Sequence, residues 1–186
     1  MTKLLLAYHS FDGQTTKIAE RLADGLRARG VDVDLREVAQ APTPEGYDAV
    51  VVGDSIRLGR HSRAVIRWLR AQRSQLERLP LIVFQVSMTA AQDDEEHRKI
   101  VDGFSQELMR RTGVEPVRVE NVAGALRYSQ YGWVTRRVMR SIARREGNAT
   151  DTTRDHEYTD WDAVDRFVDS IVATISTKVA GREESR

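Results

Sequence analysis

Three hydroxyls and a glycine between an apolar run and an amphipathic one are the residues with the clearest chemistry. Leu4-Leu5-Leu6-Ala7-Tyr8 reads as a buried strand, and Ser10, Asp12, Gly13, Gln14, Thr15 and Thr16 follow it at a helix start. Backbone N–H groups there lack intrahelical partners, and the helix dipole favours an anion. Ser10, Thr15 and Thr16 add hydroxyl donors, and Gly13 lets the backbone approach closely. The turn lacks the Lys of GxxxxGK[ST] and the spacing of GxGxxG, so it matches neither a triphosphate loop nor a dinucleotide fingerprint. A single phosphate monoester suits it, and FMN is the candidate cofactor. An ordinary strand–turn–helix capped by Ser10 or Asp12 uses the same residue types.

Two further loops are expected beside this one. Ser55, Ile56, Arg57 and Gly59 follow the β-branched run Ala49–Gly53, and Ser87, Met88 and Thr89 follow the apolar run Leu81–Val86. Backbone donors near Ser55–Arg57 and a flexible Gly59 are available to a ligand. Arg57, Arg60 and His61 have a bland reading as solvated surface charge, which is favoured for at least one of them. These two loops hold no Tyr or Trp, so a flavin would lack an aromatic sandwich from them, unless Tyr128 or Tyr131 reaches it. Asp12 and Asp54 also suggest a phosphoacceptor receiver. That reading fails, because strand one ends in Tyr8-His9-Ser10 and no Lys follows strand five.

The elements that must position these loops alternate along the chain. Strands are expected at Leu4–Tyr8, Val31–Leu35, Ala49–Gly53 and Leu81–Val86, with a fifth inside Val114–Leu126. Helices are expected at Thr15–Arg29, Ser62–Gln72, Asp93–Thr112 and Asp160–Lys178. Their apolar faces are Ile18, Ala19, Leu22, Ala23 and Leu26; Val65, Ile66 and Leu69; Ile100, Phe104 and Leu108; and Trp161, Val164, Phe167, Val168, Ile171 and Ile175. Thr159 and Asp162 resemble a capping box with Asp in place of Glu. Alternation of this kind predicts an α/β, flavodoxin-like three-layer sandwich. Its five-stranded parallel sheet has the order 2-1-3-4-5, with ligands where the strand order reverses. The expected organisation is one domain over 1–179, with an insertion at about 127–150 and a frayed tail at 180–186.

Composition narrows the chemistry. A chain of 186 residues, 40% hydrophobic and 31% charged, suits one globular domain. There is no cysteine, so thiol redox and Cys-ligated clusters are excluded and redox chemistry must come from a bound cofactor. No metal site is expected. A net charge of +1 gives no global field for nucleic acid. No apolar run is long enough to span a membrane, and a signal peptide is not evident, so a cytoplasmic location is expected.

After strand five the chain turns basic. Val134, Val138 and Ile142 mark one side of a short helix, and Arg136, Arg137, Arg140, Arg144 and Arg145 cover much of the rest. Such a helix suits an anionic membrane surface or a carboxylate-bearing substrate, and equally an ordinary helix packed on its own core.

Asp12-Gly13-Gln14-Thr15, Gly53-Asp54-Ser55-Ile56-Arg57-Leu58-Gly59, Ala123-Gly124-Ala125-Leu126-Arg127-Tyr128 and Tyr158-Thr159-Asp160-Trp161 together resemble the menaquinone-dependent protoporphyrinogen oxidase (dehydrogenase) family. The resemblance runs in order over nearly the whole chain. It implies a long-chain flavodoxin fold with FMN, and oxidation of protoporphyrinogen IX to protoporphyrin IX in haem biosynthesis. It also implies electron transfer to a respiratory quinone such as menaquinone, at the inner face of the cell membrane. Carried over, Ser10, Asp12, Gly13, Gln14, Thr15 and Thr16 hold the phosphate, and Ser55, Ile56, Arg57, Gly59, Ser87, Met88 and Thr89 border the isoalloxazine ring. Arg127, Arg136, Arg137 and Arg140 are candidates for the substrate propionates. No residue stands out as a catalytic acid or base. The rival readings are a flavodoxin-type electron carrier and an NAD(P)H:quinone reductase. The basic insertion and the net charge disfavour the first, since soluble carriers of that kind are usually strongly acidic.

Overall fold

Five strands pair in parallel in the order β2-β1-β3-β4-β5: β1 (Lys3–His9), β2 (Asp32–Glu37), β3 (Ala49–Ser55), β4 (Leu81–Ser87) and β5 (Arg118–Ala123). The expected order is the observed one. The computed structural model describes residues 1–92, 94–126 and 156–183. The expected basic helix, with Arg127, Arg136, Arg137 and Arg140, lies outside the described residues, as do Tyr128 and Tyr131.

Alternation along each strand divides the core in two. On one face Leu4, Leu6, Tyr8, Val51, Ile82 and Phe84 pack with helix α1 (Gln14–Ala28) and the C-terminal helix (Trp161–Glu183). On the other, Leu5, Ala7, Val50, Val52 and Val83 pack with α2 (Arg63–Leu76) and with Leu108 of α3 (Glu95–Thr112). Central strands covered on both sides need continuous apolar sequence, and the runs in β1, β3 and β4 supply it. Bidentate pairing of Arg21 with Asp165, at 2.8 and 2.7 Å, ties α1 to the C-terminal helix at the surface. A short antiparallel pair, β6 (Ala125–Leu126) with β7 (His156–Glu157), follows β5.

Three local expectations are corrected. Ile100 is 43% exposed, because the buried stripe of α3 runs through Val101, Phe104, Leu108 and Thr112 instead. The C-terminal helix is capped by Asp160, whose Oδ1 accepts the Ala163 N–H at 3.0 Å, so Thr159 and Asp162 form no capping box. Thr159 is drawn away by a stronger pull: its hydroxyl donates to the Ala123 carbonyl at 2.7 Å. The same helix continues to Glu183, past the expected end at Lys178.

Candidate active site

The carboxyl ends of β1, β3 and β4 finish nearly level, with His9 paired to Asp54 and Ser55 to Val86. Strand neighbours lie about 4.8 Å apart, so the three loops that leave these ends are side by side. The chain goes to opposite sides of β1 for β2 and β3, and an open α/β sheet offers its ligand crevice at such a reversal.

The first loop is held open by its own hydrogen bonds. Ser10 Oγ accepts the Gly13 N–H at 2.9 Å, and Gly13 sits at φ 81°, a left-handed conformation that suits glycine. The α1 ladder starts only with Lys17 N–H donating to the Gly13 carbonyl at 3.2 Å. Thr15 is buried and Thr16 half-buried at this helix start. The Thr16 hydroxyl is hydrogen-bonded to Tyr8, whose phenol is pushed above its usual range mainly by burial. The Gln14 side chain points elsewhere: its Nε2 donates to Thr159 Oγ1 at 2.9 Å. Asp12 is half-buried in the same turn.

The second loop is a tight hairpin-like turn. Arg57 and Arg60 exchange both backbone hydrogen bonds at 3.1 Å, with Leu58 at φ 52° and Gly59 at φ 69° between them. Gly59 therefore serves a defined left-handed turn rather than flexibility. Ile56 N–H donates to the Val86 carbonyl at 2.8 Å, fixing the loop base against β4. The Arg57 guanidinium lies over the Phe11 ring, 5.4 Å from its centroid, so two of the three loops touch through a cation–π contact.

In the third loop Ser87 Oγ accepts the Ala90 N–H at 3.1 Å, and a single 3₁₀ turn covers Thr89–Ala91. Ser87 and Thr89 are buried and Met88 is half-buried. Gly124, after β5, donates its N–H to the Ser87 carbonyl at 2.9 Å. Ser10, Gly13, Arg57, Gly59 and Ser87 thus belong to one surface formed by adjacent strand ends.

Residues 5–153 match the flavodoxin domain family. Over 171 residues the chain is 32% identical to the protoporphyrinogen IX dehydrogenase (quinone) of Escherichia coli strain K12, covering 91% of this chain and 94% of that protein. The chain belongs to the quinone-dependent protoporphyrinogen IX dehydrogenase family. A second such dehydrogenase, from Leishmania major, is 31% identical over 175 residues, covering 92% of this chain and 75% of that one. A short-chain flavodoxin associated with a PDU bacterial microcompartment superposes with a TM-score of 0.52 at 15% identity, over 94% of this chain and 99% of its own. That likeness speaks for the fold alone.

Beneath the second loop this flavodoxin-type dehydrogenase holds a buried ionisable pair, Asp54 with His61, the latter grouped by sequence with the candidate surface charges Arg57 and Arg60. His61 Nδ1 lies 2.7 Å from Asp54 Oδ2, and both side chains are wholly shielded from solvent. His61 Nε2 is 2.8 Å from the Phe104 carbonyl, so that nitrogen carries a hydrogen. Ser62 N–H donates to Asp54 Oδ1 at 3.2 Å. Burial pushes the Asp54 carboxyl up, against the opposing pull of His61. Burial alone would push His61 down; the hydrogen bond to Asp54 and its charge outweigh that and raise it. The 2.7 Å contact calls for one proton between His61 Nδ1 and Asp54 Oδ2, and either location of that proton leaves the pair without net charge. Its role is to bind the end of β3, the start of α2 and the middle of α3 together under the loop.

The burial of Asp54 had a sequence signal. Val50 and Val52 face α2, and Asp54 is the next residue in that period of two. Phe11 carries no local signal for its contact with Arg57, and Thr159 reads locally only as a cap, because each acts through a partner distant in sequence. Among the described residues no helix is long and apolar enough to cross a membrane.

Proposed function

We propose that this chain binds FMN in the crevice above β1, β3 and β4 and oxidises protoporphyrinogen IX to protoporphyrin IX. The acceptor is a respiratory quinone, menaquinone in the specific form of the proposal, and the reaction takes place beside the cytoplasmic membrane face. The observation that carries the reading is the Ser10–Gly13 turn at the strand-order reversal, in a chain that aligns with a named dehydrogenase over nearly its full length.

The residues present fit a flavin mononucleotide. Gly13 in its left-handed conformation and Ser10 shape a concave backbone at a helix start, where a phosphate is favoured by both hydrogen bonds and dipole. Asp12, Gln14, Thr15 and Thr16 complete the turn. Ser55, Ile56, Arg57, Gly59, Ser87, Met88 and Thr89 would border the ring. Bound there, FMN would supply the two-electron redox chemistry needed to oxidise a porphyrinogen methylene and reduce a quinone.

The chain's own residues position and shield. Ile56 N–H and Ser87 Oγ are engaged with protein partners, so both loop bases are held before any ligand arrives. The Asp54–His61 pair holds the second loop against α3. Exposed Leu58 and Phe11 supply apolar contact area for a large ring. Arg127, Arg136, Arg137 and Arg140 remain the candidates from the insertion for substrate carboxylates.

The test is anaerobic oxidation of protoporphyrinogen IX by FMN-loaded protein, followed by porphyrin fluorescence with and without a menaquinone analogue. Quinone-dependent porphyrin is the expected result. Flavin-loaded protein that forms none overturns the reading.

A further inference from the structure

A cleft of about 770 Å³ lies between the first loop and the start of α2. Its size falls within the roughly 300–1,000 Å³ of small-molecule sites. Phe11 and Leu58, 44% and 62% exposed, give it an apolar lining, and Arg57, Arg60, Arg63 and Arg67 line it as well. Arg57 is engaged with Phe11. Arg60, Arg63 and Arg67 are exposed and meet no carboxylate among the described residues. Farther along the same helix Arg73 does have one, in Glu77 at 2.8 Å.

Helix stability does not account for this placement. The first turn of α2 has no acidic residue, and cations there oppose the helix dipole. Arg63 and Arg67 stand one turn apart, which makes them neighbours on the helix surface and mutually repulsive. An anion between them relieves that repulsion. A ligand matching the whole cleft needs an apolar plate and neighbouring anionic groups. Paired carboxylates suit guanidinium forks well.

We propose that this cleft binds the tetrapyrrole substrate through its propionates. Arg63 and Arg67 take the pair of adjacent carboxylates, Arg60 adds charge at the rim, and the macrocycle lies against Phe11 and Leu58. Because Phe11 belongs to the first loop, a ring seated there lies beside the crevice. This rests on the substrate class proposed above, and assigns its recognition to α2 in addition to the insertion.

The experiment compares wild type with the Arg63→Gln/Arg67→Gln double variant, using Arg73→Gln as a control. Porphyrin fluorescence titration uses two probes, protoporphyrin IX and its uncharged dimethyl ester. Wild type and the control should favour the diacid by about tenfold or more, and the double variant should lose that preference. Its KM for protoporphyrinogen should rise by a similar factor, with kcat and FMN affinity unchanged. Unchanged diacid affinity and KM in folded, FMN-loaded double variant overturn the proposal while leaving the reaction intact. If wild type forms no porphyrin, the reaction fails by itself and the titration still decides the cleft. Arg-dependent preference for the diacid supports it, and no preference overturns it. Weaker sedimentation with phosphatidylglycerol vesicles at unchanged diacid affinity also overturns it, assigning these arginines to a membrane surface.

Discussion

Asp54 and His61, seven residues apart in sequence, meet at 2.7 Å inside the protein with neither side chain exposed to water. Their contact closes the segment that carries Arg57, Leu58 and Gly59, so the shape of the crevice rim depends on a pair that lies wholly inside the protein. Removing one partner of a buried pair strands the other. We expect His61→Ala to lower stability by about 3–5 kcal/mol and to loosen FMN binding. Asp54→Asn, which keeps a polar partner for the ring, should cost less. Urea denaturation with and without FMN measures both.

The same pair predicts a direction for pH dependence. His61 is raised above its ordinary value of 6.5 in the folded state. The stability it contributes is therefore complete below that value and is lost as pH rises through the raised folded value. Losing the shared proton leaves a buried negative charge, and Glu107, whose charge also raises His61, adds to the cost. His9 opposes this by favouring the charged form of Asp54. Thermal melts should show a decline as pH rises above the ordinary histidine value in wild type that is flatter in Asp54→Asn. Equal slopes would contradict the assignment.

Gly53, immediately before Asp54, has no space for a side chain. A Cβ there would overlap the Phe84 ring at Cζ, and Phe84 is fully buried. Phe84 in turn meets the Phe167 ring edge-on, with centroids 6.5 Å apart. Gly53→Ala should cost about 1–3 kcal/mol by overpacking. The urea midpoint reports it.

Gly13 is governed by conformation. With φ at 81° it tolerates no Cβ without strain, and Gly13→Ala should cost about 1–3 kcal/mol. If the turn holds the FMN phosphate, the variant should also release FMN more readily than riboflavin, which has no phosphate. Flavin fluorescence titration with both compounds separates a phosphate effect from general damage.

Thr159 links three parts of the molecule, accepting from Gln14 Nε2 at 2.9 Å and donating to the Ala123 carbonyl at 2.7 Å. Thr159→Val keeps the shape and leaves the buried Gln14 amide without this acceptor. Losing this bond should cost about 0.5–1.5 kcal/mol, since the Gln14 side chain also bonds Glu157. The double variant Thr159→Val/Gln14→Leu should recover part of it in the same urea assay.

Sequence by itself determined the architecture. The apolar runs of β1, β3 and β4 require cover on both faces. The stripe Ile18–Leu26 and the stripe Val164–Ile175 provide it from one side, and the alternation of elements leaves the doubly wound sheet as the outcome. The position of the Ser10–Gly13 turn was legible too, because strand, glycine and helix start are consecutive. Local patterning failed where a competing contact was stronger than a local one. Thr159 gave up a cap for the Ala123 carbonyl, and Ile100 lost its place in the core to Val101. Only the tertiary structure decided that His61 is buried with Asp54 rather than solvated with Arg60. It also decided that Phe11 sits under Arg57, and that Arg60, Arg63 and Arg67 share one cleft with exposed Leu58. Periodicity reports which face of an element is apolar. It carries no information on which polar group another element will bring within hydrogen-bonding distance, and that depends on how the helices pack across the sheet.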